Sequence, residues 1–222
     1  MNILRLTFNL FQEQCRILWE DSHDAVIVDP GYCGPQEEKQ FFDALEKHSL
    51  KPCAILLTHA HFDHILGVYD LQKRFGIPVY MDPADTQIYT TNKRVSGKMG
   101  FPEFSSDWEI SPVSDGQTLN LAGFEFKVIS TPGHSPGSVC YWCEKDGFVL
   151  TGDTLFSGTI GRTDLDGGDY DKEILSIMNK LILLPPQTVV MPGHGADSTI
   201  SEERTSNPFL EPFNEREELG LD

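Results

Sequence analysis

Residues 59–64 read His59-Ala60-His61-Phe62-Asp63-His64, directly after the continuous apolar run CAILLT at residues 53–58. That run has the length and composition of a buried strand. Residues 65–75 then place Ile65, Val68, Tyr69 and Gln72 at helical spacing. The histidines therefore sit where a strand hands over to a helix. Alternation along His59-x-His61 turns two imidazoles toward one point, while Asp63 and His64 reach a second. A lone histidine in such a turn is by default a hydrogen-bonded structural residue. Four donor groups within six residues point instead to metal.

Three further donors follow in glycine-containing turns after strand-like runs: His134 in TPGHS, Asp153 in TGDT and His194 in PGHG. Gly133, Gly152, Gly193 and Gly195 beside them let the backbone aim a side chain at the rim of a sheet. Any one of these turns could be structural, but together with HAHFDH they extend the same donor set.

The surrounding pattern is that of an α/β chain. Residues 4–10, 15–20 and 25–29 read as opening strands, the last ended by Pro30-Gly31, and residues 36–48 carry Phe41, Phe42 and Leu45 on a helix. Residues 118–121 and 124–130 flank Ala122-Gly123, and residues 138–144 and 148–151 flank Asp146-Gly147, which predicts two antiparallel hairpins. A helix over 170–184 stopped by Pro185-Pro186, a strand over 188–191 and a short helix over 200–206 complete the order. Antiparallel strands with outer helices imply packed sheets covered on the outside.

The 222 residues suffice for one core, so a single domain over 1–222 is expected, with a solvated acidic tail from about 202 to 222. Lys and Arg total 17 against 34 Asp and Glu, a net charge of −17 that repels phosphate backbones and excludes nucleic acid as a partner. The greasiest segment, residues 174–184, is broken by Ser176, Asn179 and Lys180, so no membrane span is expected. The opening MNILRLTFNLFQEQC turns polar before completing a secretory signal, which predicts a cytoplasmic protein. Among five cysteines only Cys140 and Cys143 have CxxC spacing. They read as buried reduced thiols, with a redox or zinc pair as the alternative. His23 and His48 are expected at the solvent surface. Phe101, Phe104 and Trp108, in the loop GFPEFSSDW, either cover the site or pack into the core.

Taken in order, HxHxDH, the histidine of TPGHS, TGD and the final GH resemble the metallo-β-lactamase superfamily across essentially the whole chain. The resemblance implies an α/β four-layered αββα sandwich with metals at one edge between the sheets. It implies that His59, His61 and His134 hold one metal, that Asp63, His64 and His194 hold a second, and that Asp153 bridges them. Two divalent ions follow, zinc first, with iron or manganese as alternatives. Such a pair lowers the pKa of a shared water to about 7, leaving hydroxide as nucleophile, which Asp63 and Asp153 would position and deprotonate as catalytic groups.

Within the superfamily the chain looks most like the short bacterial glyoxalase-II-like hydrolases, through NLFQEQC, TPGHSPGS, LTGDTLFSG with GRTD, and PGHG. This implies hydrolysis of a small-molecule thioester such as S-D-lactoylglutathione. The short stretch after His194 leaves out the helical domain with which full-length glyoxalase II grips glutathione. Arg162 of GRTD matches a family basic position and either clamps a substrate carboxylate or pairs with Asp164. The loop reads GTIGRTD where the family commonly has GCGRTD. The alternative is a mononuclear-iron persulfide dioxygenase, which shares the first metal's residues and GRTD. Those enzymes continue the last histidine with Asp-Tyr, where this chain has Gly195-Ala196. A lactonase fits less well, since that branch places a tyrosine soon after the bridging aspartate, where Thr154-Leu155-Phe156 stands here. The superfamily's β-lactamases replace that aspartate and are exported. Oligomeric state is left open.

Overall fold

The structure, a computed structural model, describes residues 1–210, the side chains at 89, 90 and 93 excepted. Strands β1 (Asn2–Phe8), β2 (Glu13–Trp19) and β3 (Asp24–Val28) form an antiparallel meander. Helix α1 (Gly34–Lys47) returns the chain to β4 (Lys51–Leu56), parallel to β3. Helices α2 (Phe62–Ile65) and α3 (Val68–Phe75) lead to β5 (Val79–Met81). A 3-10 turn (Pro83–Gln87) and α4 (Ile88–Lys98) lead to β6 (Ile110–Pro112). Strands β7 (Thr118–Leu121), β8 (Phe124–Ser130), β9 (Val139–Cys143) and β10 (Phe148–Gly152) form the second meander. A ribbon of β11 (Leu155–Phe156) and β12 (Thr159–Ile160) precedes α5 (Tyr170–Ser176). Strand β13 (Val189–Pro192) pairs parallel to β10, and β14 (Ser198–Thr199) and α6 (Ile200–Ser206) follow.

The first six strands form one sheet in sequence order, and the second sheet runs β14-β13-β10-β9-β8-β7. Strand periodicity of two explains the layering. Leu18, Val26, Val28 and Leu56 meet Phe126, Val128, Tyr141 and Leu150 in a core between the sheets. Their neighbours Ile17, Ile27, Ile55 and Leu57 face outward against Phe41 and Leu45 of α1 and Leu71 of α3. On the far side Cys140, Val149 and Val190 meet Ile174, Ile177, Leu181 and Ile200. Helix, sheet, sheet and helix thus form the expected four layers. Cys140 and Cys143 lie in different cores, on opposite faces of the second sheet, and all five cysteines are free. Among the described residues no helix is long and apolar enough to cross a membrane.

Several elements depart from the sequence reading. The helix predicted over 65–75 is two, starting earlier at Phe62 and broken before Val68. At the break Gly67 donates its N–H to the Pro30 carbonyl at 2.8 Å, and the Tyr32 ring occupies the space of any side chain there. The helix predicted over 170–184 ends at Ser176 and widens into a π turn (Ile177–Leu181) that keeps Ile177 and Leu181 buried against the sheet. Helix α4, the short strands β5 and β6, and β14 carry no strong periodic signal and were not anticipated. His48 is half-buried, its ring 5.2 Å from that of Trp19, whereas His23 is exposed as expected. The start of the tail is packed: Glu203, Asn207 and Leu210 are buried, and Asn207 donates to Glu203 Oε2 at 2.8 Å. The remainder of the expected acidic tail lies outside the described residues.

Candidate metal centre

All seven donor residues follow the carboxyl ends of strands: His59, His61, Asp63 and His64 after β4, His134 after β8, Asp153 after β10 and His194 after β13. Two glycines make the approach possible. Gly152 has φ +49°, a left-handed turn at the end of β10 that suits glycine and precedes Asp153. Gly193 has no such φ; its reason is space, because a Cβ there would lie 2.5 Å from Asp153 Oδ1 and 2.7 Å from His64 Cε1.

The donor atoms fall into three overlapping groups: His59, His61 and His134; His59, His64 and Asp153; and Asp63, His64 and His194. Within each group every donor atom lies within 4.8 Å of the others. Asp153 spans the cluster, with Oδ1 3.5 Å from His64 Nε2 and Oδ2 3.6 Å from both His134 Nε2 and His194 Nε2. Asp63 Oδ2 is 3.4 Å from His194 Nε2 and 3.6 Å from His64 Nε2.

Hydrogen bonds behind the rings decide which nitrogen faces inward. His134 Nδ1 meets the Arg162 carbonyl at 2.7 Å and His194 Nδ1 meets the Phe11 carbonyl at 2.9 Å. A carbonyl only accepts, so both Nδ1 atoms carry the hydrogen and each ring turns its Nε2 to the centre. Thr58 Oγ1 donates to Asp29 Oδ2 at 2.7 Å, which leaves it to accept from His59 Nδ1 at 3.0 Å. His64 Nδ1 lies 3.3 Å from the same carboxylate oxygen. His61 is reversed, with Nδ1 facing His134 Nε2 at 2.8 Å.

This arrangement fits a metal. His59 Nε2 and Asp153 Oδ1 are buried without a hydrogen-bond partner, the position of lone pairs that await a cation. The electrostatics agree. Burial, reinforced by His134, holds His61 down at about 3, and burial with His64 holds His59 well below the usual imidazole range. These rings stay neutral, as metal ligands must. Burial opposes charge on His64 as well, but Asp153, Asp63 and Asp29 together hold its pKa well above the usual value. The carboxylate side of the cluster thus draws positive charge.

A cavity of about 600 Å³ opens over the cluster, reached by His61, Asp63, His134, Asp153 and His194. A second hollow of about 410 Å³ adjoins it and shares Asp153, Arg162 and His194. Arg162 lines both and is held by Asp164, with Nε and Nη2 donating at 2.8 Å each, which is the expected pairing with Asp164. Its backbone carbonyl, which orients His134, was not anticipated. Trp108 and Phe104 pack into the first sheet's outer core. Phe101 instead stacks on Phe11 at 5.8 Å, beside the cavity mouth.

Several site residues escaped the sequence reading. Asp29 was visible only as an acid ending the apolar run AVIVD. Asp85, fully buried, accepts from Ala60 N–H at 2.8 Å, from Ser135 Oγ at 2.8 Å and from Gly137 N–H at 2.5 Å. It ties the HAHFDH segment to the His134 turn. Asn92 of α4 donates to the Ala60 carbonyl from the other side. The first hairpin holds the last ligand: besides Phe11, Gln14 N–H donates to the Gly193 carbonyl at 2.8 Å.

The profile of the metallo-beta-lactamase superfamily matches residues 10–194. The chain belongs to this superfamily. Hydroxyacylglutathione hydrolase GloC of Haemophilus influenzae is 34% identical over 214 residues, covering 95% of this chain and 98% of that one. Two solved structures are similar over nearly their full length. BLEG-1 B3 metallo-beta-lactamase has a TM-score of 0.84 and 37% identity, covering 94% of this chain and 99% of that chain. TTHA1623 in a di-iron-bound form has a TM-score of 0.83 and 35% identity, covering 93% and 100%. The chain's homology is to metal-binding, glyoxalase-II-like hydrolases of that superfamily, and its His and Asp cluster suits divalent ions.

Proposed function

We propose that this enzyme is a binuclear hydrolase of a small-molecule thioester such as S-D-lactoylglutathione. The observation that carries the reading is the Asp153 carboxylate, one oxygen unpartnered, set between two complete donor groups on the floor of a two-sided cleft. His59, His61 and His134 would hold one ion, Asp63, His64 and His194 the second, and Asp153 both. Zinc is the first choice, with iron, as in the di-iron-bound neighbour, or manganese as alternatives. Such a pair supplies Lewis acidity and makes water a nucleophile near neutral pH.

The chain's own residues do the rest. A linear substrate laid across the two hollows brings its C–S bond over Asp153 and His194, which both hollows share. Water adds its oxygen to the acyl carbon and the C–S bond breaks with its electron pair on sulfur. One proton of water ends on the thiol and one in solvent, leaving a carboxylate. The Asp63 and Asp153 carboxylates border the cavity and can take up the proton that water loses. A thiolate, with a parent pKa of about 8.5, leaves without a dedicated acid.

The test is elemental analysis of the purified protein, with hydrolysis of S-D-lactoylglutathione and oxygen uptake on glutathione persulfide measured on the same sample. About two ions per chain with thioester cleavage is the expected result. One iron per chain with oxygen uptake would replace this reading by a persulfide dioxygenase that uses the first metal's residues.

A further inference from the structure

The wall of the larger cavity differs in chemistry from its floor. Helix α4 and its C-cap turn Ile88, Val95 and Met99 toward it at helical spacing, and Phe11, Phe62 and Leu165 add to the apolar lining. Three of these side chains are unusually open for their size: Met99 is 47% exposed, Phe11 39% and Leu165 38%. Their gathering at one rim marks a surface that an apolar partner covers. The wall is also preorganised. Phe62 packs on Phe11 at 5.7 Å and on Phe101 at 5.0 Å, and Asn92 fastens α4 to Ala60 between the first two histidines.

Among the described residues the arginines of the rim are paired. Arg162 donates twice to Asp164, Arg94 Nη2 lies 3.9 Å from Asp166 Oδ2, and Thr91 Oγ1 donates to that same oxygen at 3.5 Å. A polar thioester with two carboxylates finds guanidinium groups already engaged. An alkyl chain finds a ready apolar face.

Building on the thioesterase reading above, we propose that the arm seated against α4 is an apolar acyl chain. The enzyme then prefers medium-chain acyl thioesters to glutathione thioesters of small hydroxy acids, and Val95 and Met99 set that preference. The bonds made and broken are those of the hydrolysis above: water oxygen to acyl carbon, C–S cleaved, products a fatty carboxylate, a free thiol and a proton.

The test uses the metal-loaded full chain with acetyl, butanoyl and hexanoyl thioesters of N-acetylcysteamine, a neutral thiol, beside S-D-lactoylglutathione. A buried methylene is worth about fourfold in kcat/KM, so acetyl to hexanoyl should gain at least about tenfold even with partial burial. The hexanoyl thioester should also exceed lactoylglutathione. In the double variant Val95→Ser, Met99→Ser, at positions open enough to spare the core, the hexanoyl-to-acetyl ratio should fall about tenfold. A flat series, or lactoylglutathione cleaved faster than the hexanoyl thioester, overturns the acyl preference and leaves the thioesterase reading standing. Cleavage of none of the four by metal-replete protein overturns the thioesterase reading, and the preference with it.

Discussion

Ser135 Oγ donates to Asp85 Oδ2 at 2.8 Å across a separation of 50 residues, inside a pocket where Asp85 has no exposed surface. The same carboxylate holds the Ala60 and Gly137 amides, so one side chain sets the distance between the two turns that carry His61 and His134. Asp85→Ala strands three buried donors and should cost about 3 kcal/mol of stability in urea unfolding. Metal affinity should fall with it. A loss below about 0.5 kcal/mol would mean that the two turns hold their spacing without the carboxylate.

Asp153→Ala removes the carboxylate proposed to bridge the two ions. The expected result is a loss of at least about a hundredfold in kcat/KM, together with a deficit of about one ion per chain on elemental analysis. Wild-type metal content in the variant would contradict a bridging role.

Arg162 and Asp164 form an exposed bidentate pair, which contributes little to stability. Asp164→Asn frees the guanidinium and should lower KM for anionic thioesters about two- to fivefold, while Arg162→Ala removes a group already engaged and should move KM by less than about twofold. Neutral thioesters should change less in Asp164→Asn. Equal shifts for neutral and anionic substrates would leave the pair a loop brace.

Thiol chemistry tests the layered core. Burial pushes the Cys140 thiol up to about 12, and burial with the Asp146 carboxylate pushes Cys143 up to about 11. In the native protein a neutral-pH thiol reagent should label the half-buried Cys33 and Cys53 and spare Cys15, Cys140 and Cys143. All five should react after denaturation. Rapid native labelling of Cys140 would contradict its place between the sheet and α5.

Much of this was legible in the sequence because the informative residues are dense. The run before HAHFDH is apolar at every position but its last, and the donor turns each carry glycine, so strand ends and ligands declared themselves together. What stayed hidden depends on distant partners. Helix α4, IYTTNKRVSGK, is rich in β-branched and polar residues with a glycine inside, and Asn92 ties it to the distant Ala60 carbonyl. Strands β5 and β6 are three residues each, too short for periodicity. Asp29 and Asp85 look like ordinary acids until the fold brings histidines and amides to them. The break at Gly67 reflects the Tyr32 ring, which the local sequence does not announce.

The hold of the first hairpin on the last ligand sets a folding order. His194 Nδ1 meets the Phe11 carbonyl across 183 residues, and Arg16 Nη2 meets the Pro192 carbonyl across 176. Closures this distant in sequence are entropically slow and come late. The second half of the donor cluster therefore does not exist during early collapse, and an ion cannot act as a template for it. We expect refolding, followed by tryptophan fluorescence, to proceed at the same rate with or without metal. A metal-accelerated main phase would refute this order. Supply of the ion would then govern how much of the folded protein is active, while the yield of folding would be set by the polypeptide alone.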